Sequence, residues 1–297
     1  MRNKEWKYNT PVFEYLRDLS VVEAPWGGHN FFAYDLVVNF RPATVVELGT
    51  FKGYSLFSFS QAVKDCKLKT KIHAVDTWEG DKHAGFFGDE LYKEFKKVLD
   101  KHYQDLDIIL HRKTFDDAVE EFQNNSIDIL HIDGLHTYKA VKHDFETWLP
   151  KVKKDSGVIL LHDIYVKRDD FGVHKLWAEL KKKYKNTISF KHSNGLGVIL
   201  LGTQNITDNP KDFAVYYQYL AESQYNKKYV EVLEGQIKQK ESEIQEYDKN
   251  LRICIKQRES LKEDTLLLME KVKEFEDFKK TKIWKSLTAW RRIKSKL

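Results

Sequence analysis

Cysteine is almost absent from this 297-residue chain. Cys66 and Cys254 are too few for a disulfide framework or a four-ligand zinc site, so a reducing, cytoplasmic location is expected. Proline is as scarce: all five lie at or before Pro210, and thirteen of the fourteen glycines lie at or before Gly202, leaving Gly235 alone. The last 87 residues therefore hold hardly a turn signal and are expected to form one or a few long helices. No window approaches the roughly 20 apolar residues of a membrane span, and the start MRNKEWKYNT leads into no apolar targeting segment. Acid is missing from Lys279–Leu297, which carries eight Lys and Arg, whereas the preceding 278 residues carry 42 basic against 45 acidic side chains, a net charge of −3. Basic character confined to a tail argues against a globular nucleic-acid-binding surface, and no nucleic-acid partner is expected.

What is present points to a folded core. Hydrophobic residues at 41% and aromatics at 13% exclude disorder throughout, while 32% charged residues and a mean hydropathy of −0.59 exclude a polytopic membrane protein. Before Pro210, short apolar runs at Thr44–Leu48, Lys71–Asp76, Asp107–Leu110, Ile127–Asp133 and Gly157–Asp163 read as strands. Helical patterns at Tyr54–Asp65, Asp89–Tyr103, Asp116–Gln123, Ala140–Leu149 and Val173–Lys183 lie between and after them. Alternation of this kind predicts an α/β fold with a parallel sheet and right-handed crossovers. Beyond it, TISFKHSNGLGVILLG places two strands around Ser193, Asn194 and Gly195, a hairpin. Residues 1–40, with FEYLRDL and FFAYDLVV, read as helices leading into the first strand.

Four strand ends carry ionisable groups. VELGTFKGYS, Val46–Ser55, ends a strand at Glu47 and brackets a tight turn with Gly49 and Gly53, where backbone must approach a ligand at the strand's carboxyl end. It lacks the spacing of a dinucleotide fingerprint and the Gly-Lys-Ser/Thr of a phosphate-binding loop, and an acid there suits a ligand with a cationic end. An ordinary strand-to-helix turn is the alternative. The next strand ends in Asp76, followed by Thr77 and Trp78, where an acid can accept the ribose hydroxyls of an adenosine. IDILHIDGLHTYKAVKHDFETWLPKV delivers Asp133 and then His136, and GVILLHDI delivers His162 and Asp163. Two carboxylates with nearby imidazoles could hold a divalent cation and leave a histidine free to take a proton, although Asp133 could equally cap the following helix. Asp81, His83 and Gly85 lie just past the second strand, where they could shape an acceptor pocket.

From about Arg41 to Gly202 the chain resembles the class I S-adenosylmethionine-dependent methyltransferases, and within them the branch that modifies sugar hydroxyls in glycans and natural products. VELGTFKGYS resembles motif I of that superfamily; AVDTWEGDKHAG, IDILHIDGLHTYKAVKHDFETWLPKV and GVILLHD resemble stretches of the sugar-hydroxyl branch. The resemblance implies a Rossmann-like, seven-stranded, mostly parallel sheet with a terminal hairpin. It further implies S-adenosylmethionine bound by Glu47, Gly49, Gly53, Asp76, Thr77 and Trp78, magnesium held by Asp133 and Asp163 with His162 as a further ligand, and His136 as general base.

The C-terminal part adds two features. Between Val230 and Phe275 a seven-residue register puts apolar residues at eleven of fourteen core positions, Lys240, Arg258 and Thr265 being the exceptions. A coiled coil roughly 70 Å long follows, self-associating as dimer or trimer. In TKIWKSLTAWRRIKSKL, Ile283, Trp284, Leu287, Trp290, Ile293 and Leu297 share one helix face beside six basic residues. Such a face suits an anionic membrane surface, with a partner protein as the alternative. The expected organisation is a helical segment at 1–40, a methyltransferase domain at 41–205, a helical linker at 206–229, the coil at 230–278 and the tail at 279–297. The leading function is transfer of a methyl group to a hydroxyl of a lipid-linked or polymeric surface glycan, at the inner face of a membrane. A membrane-recruiting scaffold without catalysis and a methyltransferase of phenolic or antibiotic hydroxyls are the alternatives.

Overall fold

The computed structural model describes residues 6–20, 24–83, 85–202, 205–282, 284–286, 288 and 291. Its elements in chain order are α1 (Asn30–Phe40), β1 (Thr44–Leu48), α2 (Tyr54–Asp65), β2 (Lys71–Val75), a two-residue pair β3 (Gly80–Asp81) and β4 (Gly85–Phe86), α3 (Asp89–His102), β5 (Ile108–His111), α4 (Phe115–Val119), β6 (Ile129–Ile132), α5 (Tyr138–Trp148), β7 (Val158–His162), α6 (Val173–Lys183), β8 (Thr187–Phe190), β9 (Leu196–Leu200) and α7 (Pro210–Lys280). The expected FEYLRDL helix is a four-residue 3-10 turn, Glu14–Arg17.

Seven strands form one sheet in the order β5-β2-β1-β6-β7-β9-β8. All the pairings from β5 to β7 are parallel, and β9 runs antiparallel to both neighbours. This is the Rossmann-like methyltransferase fold. Every residue of β6 and β7 is buried, as strands covered by helices on both faces must be. Helices α1, α2 and α3 cover one face; α4, α5 and α6 cover the other. Between β1 and β6 the strand order reverses, and ligands of open α/β sheets bind outside the carboxyl ends at such a reversal.

Helix α7 departs from the expected linker and coil. It is continuous from Pro210 to Lys280, and the first compact unit of the chain extends to Val230. Phe213, Tyr217 and Ala221, one face at i, i+4 and i+8, are buried against that unit. Tyr217 donates to Asp35 Oδ2 at 2.6 Å and accepts from Trp6 Nε1 at 2.8 Å. Burial of Phe213 alone contributes about 1.5–3 kcal/mol. The expected linker is therefore part of the domain core, and so is the segment at 1–40, whose Phe13, Tyr15 and Phe32 are buried. In the second unit, from Glu231 onward, Leu233, Ile237, Ile244, Tyr247, Leu251, Leu261, Leu268, Val272 and Phe275 are all exposed. Most of the apolar face expected of the basic tail lies outside the described residues.

Candidate active site

A cavity of about 640 Å³ opens at the strand reversal. Gly49, Asp76, Asp133 and Asp163, each following a strand of the parallel part of the sheet, all line it. The convergence follows from register: Gly49 N donates to Val75 O at 2.9 Å and Asp133 N to Leu48 O at 2.8 Å, so the strands end level. Gly49 has φ +89°, and a Cβ there would sit 2.1 Å from the Asp133 carbonyl oxygen, so glycine is required by both conformation and close approach.

Asp76 organises the loop after β1. Its Oδ2 accepts from Thr50 N and Phe51 N, each at 2.8 Å, and its Oδ1 accepts from Trp78 N at 2.7 Å. Burial pushes its carboxyl above the usual range, against these three donors. A carboxylate offers about four acceptor sites, so roughly one remains for a ligand. Beside it, Thr50 is buried, lines the cavity, and its Oγ1 has no hydrogen-bond partner among the described residues.

The carboxylate centre lies between the ends of β6 and β7. His136 Nε2 is 2.7 Å from Asp163 Oδ2 and 3.4 Å from Asp133 Oδ1; His162 Nδ1 is 3.3 Å from Asp133 Oδ2 and 3.5 Å from Asp163 Oδ1. Asp163 adopts φ +62°, an uncommon conformation that Asp tolerates better than most residues. Burial opposes charge on His136, but its bonds to Asp133 and Asp163 prevail and push it up to about 10. For His162 burial is again outweighed, chiefly by the charge of Asp133, and it rises to about 9. Asp133 is held well below the usual carboxylate range, its burial overcome by His162 and His136.

The chemistry of this donor set fits a divalent cation. One ligand atom each from Asp133, His136 and Asp163 lie within 4.8 Å of one another, and Asp163 Oδ1 and His136 Nδ1 have no hydrogen-bond partner among the described residues. The grouping differs from the expected one, in which His162 was a ligand. His162 Nε2 is engaged with the carbonyl of Ser193 at 3.1 Å, and its protonated Nδ1 faces the carboxylates as a donor. His136 takes its place in the cluster.

Of the remaining expected residues, Thr77, Asp81 and His83 line the cavity, while Glu47, Gly53, Trp78 and Gly85 do not. Strand alternation turns Glu47 to the other side of β1, where it is fully buried and its Oε1 meets Nδ1 of its register partner His131 at 2.9 Å. Gly53 supplies φ +86° at the start of α2, where a Cβ would strike Phe57 and Phe95. Trp78 packs into the core on Phe95, its Nε1 donating to Phe51 O at 3.0 Å. Sequence reasoning missed Phe171, stacked on His136 at 4.6 Å and 7°, and Asp144 on α5, which also lines the cavity. Phe171 sits in a loop without a motif. Asp144 reads as an ordinary polar helix residue, and only the packing of α5 reveals it.

Residues 46–164, which span every strand-end residue of the cavity, match a family described as a methyltransferase domain. The chain is also similar to y4gI, an uncharacterised protein of Sinorhizobium fredii, with 42% identity over 179 residues, 60% of this chain but 19% of the length of that relative. Among solved structures, an O-methyltransferase from Bacillus cereus in complex with SAH aligns at 14% identity over 64% of this chain and 92% of its own, with a TM-score of 0.46. The O-methyltransferase TomG from Streptomyces achromogenes, involved in tomaymycin synthesis and bound to SAM, aligns at 12% identity over 66% and 92%, with a TM-score of 0.45.

Proposed function

We propose that the protein is an S-adenosylmethionine-dependent O-methyltransferase acting on a sugar hydroxyl of a lipid-linked or polymeric surface glycan. The observation that carries this reading is the convergence of Gly49, Asp76, Asp133 and Asp163 on one cavity at the strand reversal. Gly49 and Thr50 line the cavity, Thr50 with an unpartnered hydroxyl, and Asp76 keeps one acceptor site for a ribose hydroxyl. The cofactor, when bound, would supply an electrophilic methyl group.

A sugar hydroxyl ionises far above neutral pH, so its oxygen attacks the methyl carbon well only if a base takes its proton. A positioned base contributes typically 10²–10⁴-fold. His136 Nε2 is the group in place to receive that proton, and Phe171 stacked against its ring fixes the imidazole plane. Paired with two carboxylates, however, His136 already holds a proton at neutral pH. Asp133 and Asp163 would hold a divalent cation such as magnesium, leaving His136 to take the proton; the cation's positive charge would offset the carboxylate charge that keeps His136 protonated.

The exposed heptad face of α7 supports self-association through a second copy, as dimer or trimer. Eight basic residues without an acid in the last 19 support attachment of the tail to an anionic membrane surface. No helix among the described residues is long and apolar enough to cross a membrane.

The test is transfer of labelled methyl from S-adenosylmethionine to a panel of glycans and phenolic acceptors, with and without chelator. Label in a sugar O-methyl ether, reduced by chelator, is expected. Label confined to phenolic hydroxyls would replace the sugar reading. Absence of transfer by a protein that binds the cofactor would support a non-catalytic scaffold.

A further inference from the structure

A second cavity, of about 550 Å³, adjoins the first and has no part in the chemistry described. The two share Ala24, Pro25 and Asn194 in their walls. The rest of the second is made by Ser193 from the β8–β9 turn and by Tyr225, Asn226 and Tyr229 of α7. A short series of contacts joins it to the carboxylate centre: Asp163 Oδ1 to His162 Nδ1 at 3.5 Å, His162 Nε2 to Ser193 O at 3.1 Å, and Ser193 Oγ to Tyr225 OH at 3.5 Å. A molecule whose reacting hydroxyl lies at His136 and that is longer than the first cavity can therefore continue across Asn194 into the second.

The lining is chemically selective. It carries no Lys, Arg, Asp or Glu, so it offers no opposite charge to a phosphate, a carboxylate or an ammonium group. Nor is it a greasy slot for an acyl chain, since five of its seven residues bear a hydroxyl or an amide. The side chains of Asn194 and Asn226 make no hydrogen bond among the described residues, and each offers one acceptor and two N–H donors. The tyrosines combine an apolar ring with a polar rim. Neutral ligands with C–H faces and closely spaced hydroxyls, which is to say pyranose units, match that mixture, and the volume lies in the range of about 300–1,000 Å³ usual for small-ligand sites.

We propose that this second cavity is an acceptor subsite for neutral sugar units adjoining the methylated one, with Tyr229 and Asn226 as its recognition residues. The inference deepens the O-methyltransferase reading and rests on it for the meaning of the subsite. It makes the acceptor an oligosaccharide or polymer rather than a monosaccharide or a small aromatic molecule. It also gives the first turns of α7 a second task besides closing the core with Phe213 and Tyr217.

The test uses the full chain loaded with S-adenosylhomocysteine and hexose and deoxyhexose oligosaccharides of one to six units. Calorimetric affinity is measured for each length with wild type, Tyr229→Ala and Asn226→Ala, and methyl transfer to the same ladder is measured with S-adenosylmethionine. Affinity rising from one to several units is expected, with Tyr229→Ala weakening only the longer ligands, by roughly two- to tenfold. Both variants should keep wild-type cofactor affinity, since Tyr229 and Asn226 do not line the first cavity. Affinity independent of length, or equal loss for one unit and for six, would overturn the subsite. Failure of methyl transfer despite length-dependent, Tyr229-dependent binding would overturn the catalytic reading and leave the subsite standing.

Discussion

Replacing Asp144 by Asn should raise the stability of the ligand-free protein at alkaline pH and leave it unchanged or lower at acidic pH. Asp144 is 8% exposed, accepts no hydrogen bond among the described residues and faces the cavity, so burial pushes its carboxyl from 3.8 up to about 7. A carboxyl with a raised folded-state pKa binds more protons folded than unfolded between those two values, so stability falls as pH climbs through the interval. Roughly three pH units at 1.36 kcal/mol each put the full penalty above pH 7 at about 4 kcal/mol. The amide of Asn lacks the charge but is also unpartnered, which costs about 1–3 kcal/mol. A net gain of about 1–3 kcal/mol at pH 8 follows, shrinking to nothing or reversing near pH 4. For a domain of this size each kcal/mol shifts Tm by about 2–4 °C. Thermal unfolding of wild type and Asp144→Asn, followed by near-ultraviolet dichroism from pH 4.5 to 8, reads the difference directly. A Tm difference that is the same at both ends of the range would refute the assignment of a buried, unsolvated carboxyl.

His136→Ala should lower turnover by about two to four powers of ten with cofactor affinity kept, as single-turnover methyl transfer and calorimetry together will show. A chain ending after Val230 should stay folded and lose self-association in light scattering, whereas one ending near Pro210 should lose Phe213 and Tyr217 from the core and unfold at lower temperature. Deleting Lys279–Leu297 should release the protein from anionic but not neutral liposomes at low salt, with methyl transfer to a short acceptor unchanged.

How much of this was legible in the sequence differed by residue. The strands were, because β6 and β7 are apolar but for His131 and His162 and the punctuation of Gly49, Gly134 and Gly157 marks strand boundaries. The strand-end acids were, because a parallel sheet puts all its carboxyl ends on one edge. The direction of Glu47 was not, because it sits one residue inside β1, and the two-residue period of a strand turns it toward His131. The packing of the first turns of α7 into the first compact unit was not anticipated at Pro210. The i, i+4, i+8 spacing of Phe213, Tyr217 and Ala221 held the signal, but the absence of further proline or glycine drew attention to the helix's continuity instead. That His136 rather than His162 groups with the two carboxylates was out of reach, because it depends on which imidazole the Ser193 carbonyl meets. Asp144 and Phe171 were equally hidden, since their position depends on the packing of α5 and of the loop after β7.

The central claim is that the cavity at the strand reversal is the S-adenosylmethionine site, and calorimetric titration of that compound into the full-length protein and Asp76→Ala tests it most directly. Wild type is expected to bind one equivalent per chain. Asp76→Ala, which removes the proposed ribose acceptor and releases the Thr50, Phe51 and Trp78 amides, should bind at least about tenfold more weakly, the equivalent of 1.4 kcal/mol, while remaining folded by near-ultraviolet dichroism. No binding by wild type, or equal affinity in a folded Asp76→Ala, would contradict the account.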